Sequence, residues 1–316
     1  MAKVMVIGSY IHSLINFRGP LLKTLAKKGH EVIACAPGKE KVTISQLRRI
    51  GVTYHPIYLN RTGLNPIKDF FSFINLIQTL RTFCPEIVFS YTIKPVIYGS
   101  LAARFMGVAK IFSLITGLGY AFTKKSLKNN LVNLLVCKLY RIALSFNEKV
   151  FFQNPDDRAL FLQLKLVQKK DQTVLINGSG VDLEYFQPAP LNHRYPVFLL
   201  IARLIRDKGI LEYVEAARII KKRYPQTTFR LLGFFDPHPD SISPSQVKNW
   251  QDEGIIEYLG EAEDVRPYIA QSNVYVLPSF REGTPRTVLE AMAMGRPVIT
   301  TNVPGCRETV IEGKNG

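Results

Sequence analysis

Cysteine is scarce in this 316-residue chain: Cys35, Cys84, Cys137 and Cys306 lie far apart and form no CxxC pair. That spacing excludes a disulfide framework and a thiolate zinc site, and it points to reduced thiols in the cytosol. The five histidines (His12, His30, His55, His193 and His238) show no metal-ligand spacing. No Asp-x-Asp occurs, so no carboxylate pair offers to hold a divalent ion at a nucleotide diphosphate, and neither a metal nor another cofactor is expected. The absence of GxxxxGK[ST] excludes a P-loop. The absence of GxGxxG, with an acid some twenty residues on, weighs against a nicotinamide enzyme. No apolar run reaches the roughly 20 residues of a spanning helix. The longest candidate, "NNLVNLLVCKLYRIALSF", is broken by Lys138 and Arg141. The chain opens directly on "KVMVIGS", a strand pattern rather than a signal peptide.

Acidic residues are scarce in one half only. Residues 1–186 hold 25 Lys+Arg against 10 Asp+Glu, whereas residues 187–316 hold 16 against 15. The basic half therefore faces something anionic: a membrane surface, nucleic acid or an anionic substrate.

What is present is an alternation. "KVMVIGS", "EVIACAP", "VTYHPIYL", "EIVFSYT", "KIFSLIT", "KVFFQN" and "TVLING" read as strands, separated by helix patterns near 20–28, 41–50, 66–83, 95–106, 127–147 and 155–166. That order predicts a parallel, doubly wound sheet. Pro188, Pro190 and Pro196 mark a linker, after which "VFLLIAR", a helix near 209–223, "FRLLGF", "IIEYLG", "VYVLPS" and "PVITTN" repeat the pattern. The expected fold class is α/β, with two tandem Rossmann-like domains, 1–187 and 188–316, facing across a cleft. The second is expected to lack its C-terminal part, because "CRETVIEGKNG" stops where a loop should lead into a further strand.

Within the second domain, "REGTPRTVLEAMAMGRPVITT" places Glu282 and Glu290 eight positions apart. Thr284 suits an N-cap and Pro285 the first helical position. Glu282 and Gly283 then stand at the carboxyl end of a strand, beside helix amides that favour phosphates. Glu290 lies about two turns into the helix. The plainer reading makes Glu282 a partner of the helix dipole and Glu290 part of a solvated face. In "ARLIRDKG", Arg203 ends a strand and Lys208 follows five positions later, as two cations suited to a diphosphate leaving group or as ordinary loop cations. In the first domain, "GSYIHSLINFRGPLL" offers Gly8, Gly19 and a helix N-terminus as a phosphate cradle, with His12 nearby. Lys124, Lys125, Lys128, Lys138 and Arg141, set among leucines and aromatics, form either a basic membrane-facing helix or a solvated helix edge. "NPIKDFFSFINLIQTLRTF", with Phe70, Phe71, Phe73, Lys68 and Arg81, extends such a face.

Together these pieces resemble glycosyltransferase family 4, the retaining, nucleotide-sugar-dependent enzymes of GT-B fold, over essentially the whole chain. The E-x7-E pair, "ARLIRDKG", "NGSGVDLEYFQP" and "PGCRETVIEGKNG" carry the resemblance, while "NFRGPLL" and "TGLGYAFT" resemble the bacterial subgroup that builds lipid-linked oligosaccharides. The resemblance implies that Glu282 and the backbone of Gly283, Thr284, Pro285 and Arg286 meet the donor sugar, and that Glu290 holds the ribose. Arg203 and Lys208 would then bind the diphosphate, with Arg18 and Gly19 beside the donor. It further implies a UDP-sugar donor, a polyprenyl-diphosphate-linked sugar acceptor, a cytoplasmic enzyme peripheral to the inner membrane, and no nucleic-acid partner. A non-catalytic basic binding protein and a GT-B-shaped sugar-nucleotide epimerase are the alternatives.

Overall fold

The computed structural model of the chain describes residues 1–60, 65–118, 127–191, 195–236 and 240–316, the side chains of 127–132 excepted. The chain divides into two units, Met1–Ile176 and Asn177–Gly316. The division falls eleven residues before the expected one at 187/188. Phe186 is buried in the second unit's core, and the Arg296 guanidinium, itself buried, donates to the carbonyls of Ala189 at 2.7 Å and Pro190 at 3.2 Å. The segment that reads as a proline linker is thus bound to the second unit.

Unit 1 contains β1 (Lys3–Ile7), α1 (Ile11–Asn16), α2 (Gly19–Lys27), β2 (Glu31–Ala36), α3 (Lys41–Arg49), β3 (Val52–Pro56), α4 (Pro66–Phe83), β4 (Ile87–Tyr91), α5 (Ser100–Phe105), β5 (Lys110–Ile115), α6 (Leu127–Ser145), β6 (Lys149–Phe152), α7 (Pro155–Gln163) and β7 (Thr173–Leu175). A π-helical turn, Pro95–Gly99, precedes α5. The strands form one parallel sheet in the order β3-β2-β1-β4-β5-β6-β7. Helices cover both faces of such a sheet, so its inner strands are apolar throughout rather than alternating. In β1, Val4 and Val6 pack into one core and Met5 and Ile7 into the other. The connection order reverses between β1 and β4, and Ile7 is in register with Ser90.

Unit 2 contains β8 (Val197–Ile201), α8 (Ile210–Arg223), β9 (Thr228–Leu232), α9 (Pro244–Asp252), β10 (Glu257–Tyr258), α10 (Arg266–Ala270), β11 (Val274–Leu277), α11 (Arg286–Ala293) and β12 (Val298–Thr300). Its parallel sheet runs β10-β9-β8-β11-β12, reversing between β8 and β11. Two Rossmann-like units are therefore present. Among the described residues no helix is long and apolar enough to cross a membrane.

Candidate functional site

In an open parallel sheet, ligands bind beyond the carboxyl ends of the strands where the order reverses. In unit 2 that point lies between β8 and β11, and the loops leaving these two strands carry Arg203–Lys208 and Ser279–Thr284. Backbone contacts fasten the loops together. Phe280 N–H donates to the Asp207 carbonyl at 3.0 Å, and the Ser279 hydroxyl to the same oxygen at 3.1 Å. Gly209 makes this approach possible: its φ is +72°, and a Cβ there would lie 2.0 Å from the Pro278 carbonyl oxygen. A third segment supports the Glu282 loop from behind. Glu282 N–H donates to the Pro304 carbonyl at 3.0 Å, and a Cβ on Gly305, at φ +84°, would fall 2.3 Å from the Glu282 carbonyl oxygen.

The closure brings together two residues 74 positions apart: Lys208 Nζ donates to Glu282 Oε1 at 2.5 Å. Arg203 takes a different partner. Its Nη1 donates to Asp236 Oδ2 at 2.9 Å, with the Arg203 side chain partly exposed and Asp236 buried. Asp236 lies in the loop after β9; a sequence separation of 33 residues hides this pairing, and no motif signals it.

The start of α11 differs from expectation. Pro285, not Thr284, is the N-cap, with extended backbone (φ −71°, ψ 109°) and no side-chain cap. Thr284 is instead packed against Gly178, where an added Cβ would come within 2.7 Å of the Thr284 side chain. The N-cap Pro285 has no side-chain oxygen to offer the first turn of α11. Glu290 is 7% exposed and forms an ion pair with Arg286, Nε to Oε1 at 2.8 Å. Burial pushes its carboxyl up to about 7, against the opposing pull of Arg286. The desolvation effect wins because protein surrounds most of the carboxylate, with Arg286 the one cation paired with it among the described residues. Glu290 is therefore not on a solvated face. Gly283 and Pro285 are also buried, and Arg286 is half-buried.

In unit 1, Arg18 is buried with its guanidinium 4.9 Å from the Tyr91 ring centroid, and its Nη1 donates to the Phe17 carbonyl at 3.1 Å. Gly19 opens α2, with open space where a Cβ would stand. His12 Nδ1 lies 3.2 Å from Thr43 Oγ1. Lys124 and Lys125 lie outside the described residues, as does the Lys128 side chain. Lys138 is exposed on α6. Arg141 donates to the carbonyls of Leu164 and Lys165, each at 3.0 Å, and so closes the end of α7. Among the described residues no group of three or more His, Cys, Asp or Glu could hold a metal ion.

Chemically, the edge of unit 2 offers two cations and a helix N-terminus for a diphosphate, and two carboxylates for hydroxyl groups. Residues 195–316 match the family described as glycosyl transferases group 1, and residues 8–154 match the family described as glycosyl transferase 4-like. The chain is 28% identical over 317 residues to the N,N'-diacetylbacillosaminyl-diphospho-undecaprenol alpha-1,3-N-acetylgalactosaminyltransferase of Campylobacter jejuni, covering 96% of this chain and 81% of that one. It is 30% identical over 263 residues to the UDP-Gal:alpha-D-GlcNAc-diphosphoundecaprenol alpha-1,3-galactosyltransferase of Escherichia coli, covering 77% and 64%. Its fold is similar to sucrose-phosphate synthase from Thermosynechococcus elongatus (TM-score 0.77, 19% identity, 98% and 84% of the two chains). It is also similar to Anabaena Alr3699/HepE in complex with UDP-glucose (TM-score 0.74, 16% identity, 100% and 85%). With paired Rossmann-like units, an E-x7-E loop at the second sheet's reversal point and both domain families matched, the chain belongs to glycosyltransferase family 4, the group 1 glycosyltransferases of GT-B fold.

Proposed function

We propose that this enzyme transfers a hexose or N-acetylhexosamine from a UDP-sugar to a polyprenyl-diphosphate-linked sugar, with retention at the anomeric carbon, during assembly of a bacterial surface glycan. The observation that carries the reading is the fastening of Arg203, Lys208, Glu282 and the N-terminus of α11 at one edge of the unit 2 sheet. The two relatives named above are transferases whose names specify undecaprenol-diphosphate-linked sugars, and one of them names UDP-Gal.

In this reading the bond from C1 to the β-phosphate oxygen breaks and its electron pair stays on the phosphate. Lys208 and Arg203 oppose the growing charge, assisted by the amides of α11. Glu282 orients the sugar through its hydroxyls while holding Lys208 in place. Glu290 accepts from the ribose diol. The acceptor hydroxyl bonds to C1 on the face the phosphate leaves, and its proton passes to the departing phosphate oxygen, so no side-chain base takes part. Charge compensation by these groups makes the reaction independent of a divalent metal. Transfer takes place at the cytoplasmic face of the inner membrane, to which the basic unit 1 binds, and nucleic acid is not a partner.

The test is a donor-consumption assay with radiolabelled UDP-sugars, with and without a prenyl-diphosphate-linked N-acetylhexosamine. Label appearing in the lipid fraction only when acceptor is present is the expected result, unaffected by EDTA. Donor epimerisation without transfer, or activity that EDTA abolishes and Mn²⁺ restores, would overturn the corresponding part.

A further inference from the structure

Unit 1 has its own reversal point, between β1 and β4, and the groups gathered there include a buried ion pair without a role in the donor chemistry. Lys94, three residues past the end of β4, extends its ammonium to Asp69 in the first turn of α4, Nζ to Oδ1 2.6 Å. The two side chains are 11% and 8% exposed. The Tyr98 hydroxyl lies beside the same carboxylate. Burying two opposite charges costs several kcal/mol per ion, and well-packed apolar residues of similar size usually hold a fold equally well. Packing α4 against the π-helical turn therefore does not by itself account for this pair.

The backbone that aims Lys94 is strained. Thr92 has φ +69°, a region that β-branched residues avoid. It is held there from two sides: its hydroxyl donates to Ser9 Oγ at 2.9 Å, in the loop leaving β1, and its carbonyl accepts from Val96 N–H at 3.0 Å. Such strain persists where surrounding contacts over-determine it, and it gathers at ligand sites.

We propose that Lys94 and Asp69 form the recognition site for the acceptor's sugar ring. The pair is charge-neutral: an anion approaching Lys94 meets the Asp69 carboxylate at the same distance scale, so a phosphate gains little there. A pyranose hydroxyl both donates and accepts, and a hydroxyl or acetamido group can accept from Lys94 while a hydroxyl donates to Asp69. The ligand class is thus an uncharged hexose or N-acetylhexosamine glycoside. Thr92 is a positioning residue that sets the direction of Lys94. This assignment rests on the glycosyl-transfer reading for the word acceptor, but not for the binding itself.

The experiment measures binding of the octyl glycosides of N-acetylglucosamine and N-acetylgalactosamine by saturation-transfer NMR, with inorganic diphosphate as the anionic probe. Parent, Lys94→Met, Asp69→Asn and Thr92→Gly are compared, each with its Tm and its UDP affinity. Loss of one charged hydrogen-bonding partner should weaken glycoside binding about tenfold or more. UDP affinity should stay unchanged, since none of Lys94, Asp69 and Thr92 is assigned to the donor. Thr92→Gly, which relieves the strain, gives up the hydroxyl bond to Ser9 and keeps the ion pair, should have a Tm near the parent's and still bind glycoside more weakly. Undiminished glycoside binding in Lys94→Met and Thr92→Gly would overturn the proposal, as would diphosphate displacing the glycoside from the parent. If the parent transfers sugar and Lys94→Met keeps the acceptor KM, this inference fails alone. If glycoside binding follows the variants but no transfer occurs, the proposed reaction fails and the site stands.

Discussion

At Glu290, two demands meet on one carboxyl. Burial favours its neutral form, and the ribose assignment needs its ionised form. Its folded value, pushed up to about 7 from 4.5, means that the folded chain holds this proton more tightly than the unfolded chain. The resulting stabilisation is fully present below pH 4.5 and is lost as pH rises through about 7, a swing of order 3 kcal/mol at most. Thermal denaturation at pH 5 and pH 8 should therefore show a smaller loss of stability in Glu290→Gln than in the parent. UDP affinity should move the other way, rising between pH 6 and pH 8 in the parent as the carboxylate forms and staying flat in the variant. Calorimetric titrations that track each other across that range would remove Glu290 from the ribose site. Glu282 and Lys208 make a contrasting pair. Glu282→Ala should abolish transfer yet leave UDP bound, because this acid is assigned to the sugar. Lys208→Ala should lower kcat more than it raises the donor KM, since diphosphate charge is larger in the transition state than in the ground state. A Lys208→Ala enzyme with parental kcat and a raised KM would show uniform binding instead.

Among the elements, the loops matter more than the helices, and glycine sets how close they come. Gly209→Ala adds a methyl 2.0 Å from the Pro278 carbonyl at a left-handed φ, so the β8 and β11 loops must part. The expected result is a Tm several degrees lower and little activity, while Gly19→Ala, which meets open space in α2, leaves the Tm near the parent's. Equal Tm in Gly209→Ala and parent would show that the loops tolerate separation. The strands of unit 1 are legible because a parallel sheet covered on both faces writes continuous apolar runs. Short elements are less so. The turn at Pro95–Gly99 reads as plain helix, although it winds as a π-turn before α5. The helix α1 interrupts what reads as one long loop, and its six residues carry neither a side-chain cap nor an acidic first turn. For α9 a local signal exists: Ser243 and Gln246 form a capping box around Pro244. In the candidate site, the spacing of Glu282 and Glu290 is legible because one loop and one helix set it. The Lys208–Glu282 and Arg203–Asp236 pairings are tertiary, decided by which strands the sheet places side by side.

For the whole molecule, charge follows the unit boundary closely. Met1–Ile176 holds 25 Lys+Arg against 8 Asp+Glu, a net +17, and Asn177–Gly316 holds 16 against 17, a net −1. A diphosphate on an acceptor lipid calls for two or three cations, which leaves most of the excess unassigned. Each basic residue near an anionic leaflet contributes about 1 kcal/mol, fading within a Debye length of roughly 10 Å at 0.1 M salt. Apolar groups accompany the cations: Leu134, Leu135 and Ile142 are exposed on α6 with Lys138, and Ile67, Phe70 and Phe71 on α4. Such residues insert at the headgroup boundary with an affinity that salt does not remove. The protein should cosediment with anionic vesicles, less so at high salt, and not with neutral ones. Changing Lys124, Lys125 and Lys128 to Glu should remove most of the salt-sensitive part. Changing Leu134 and Leu135 to Ser should lower the part that persists at high salt. UDP binding should survive both sets, because none of the substituted residues is assigned to the donor. Variants that pelleted with anionic vesicles as well as the parent would return α6 to a solvated helix edge and move the membrane contact to the aromatic start of α4.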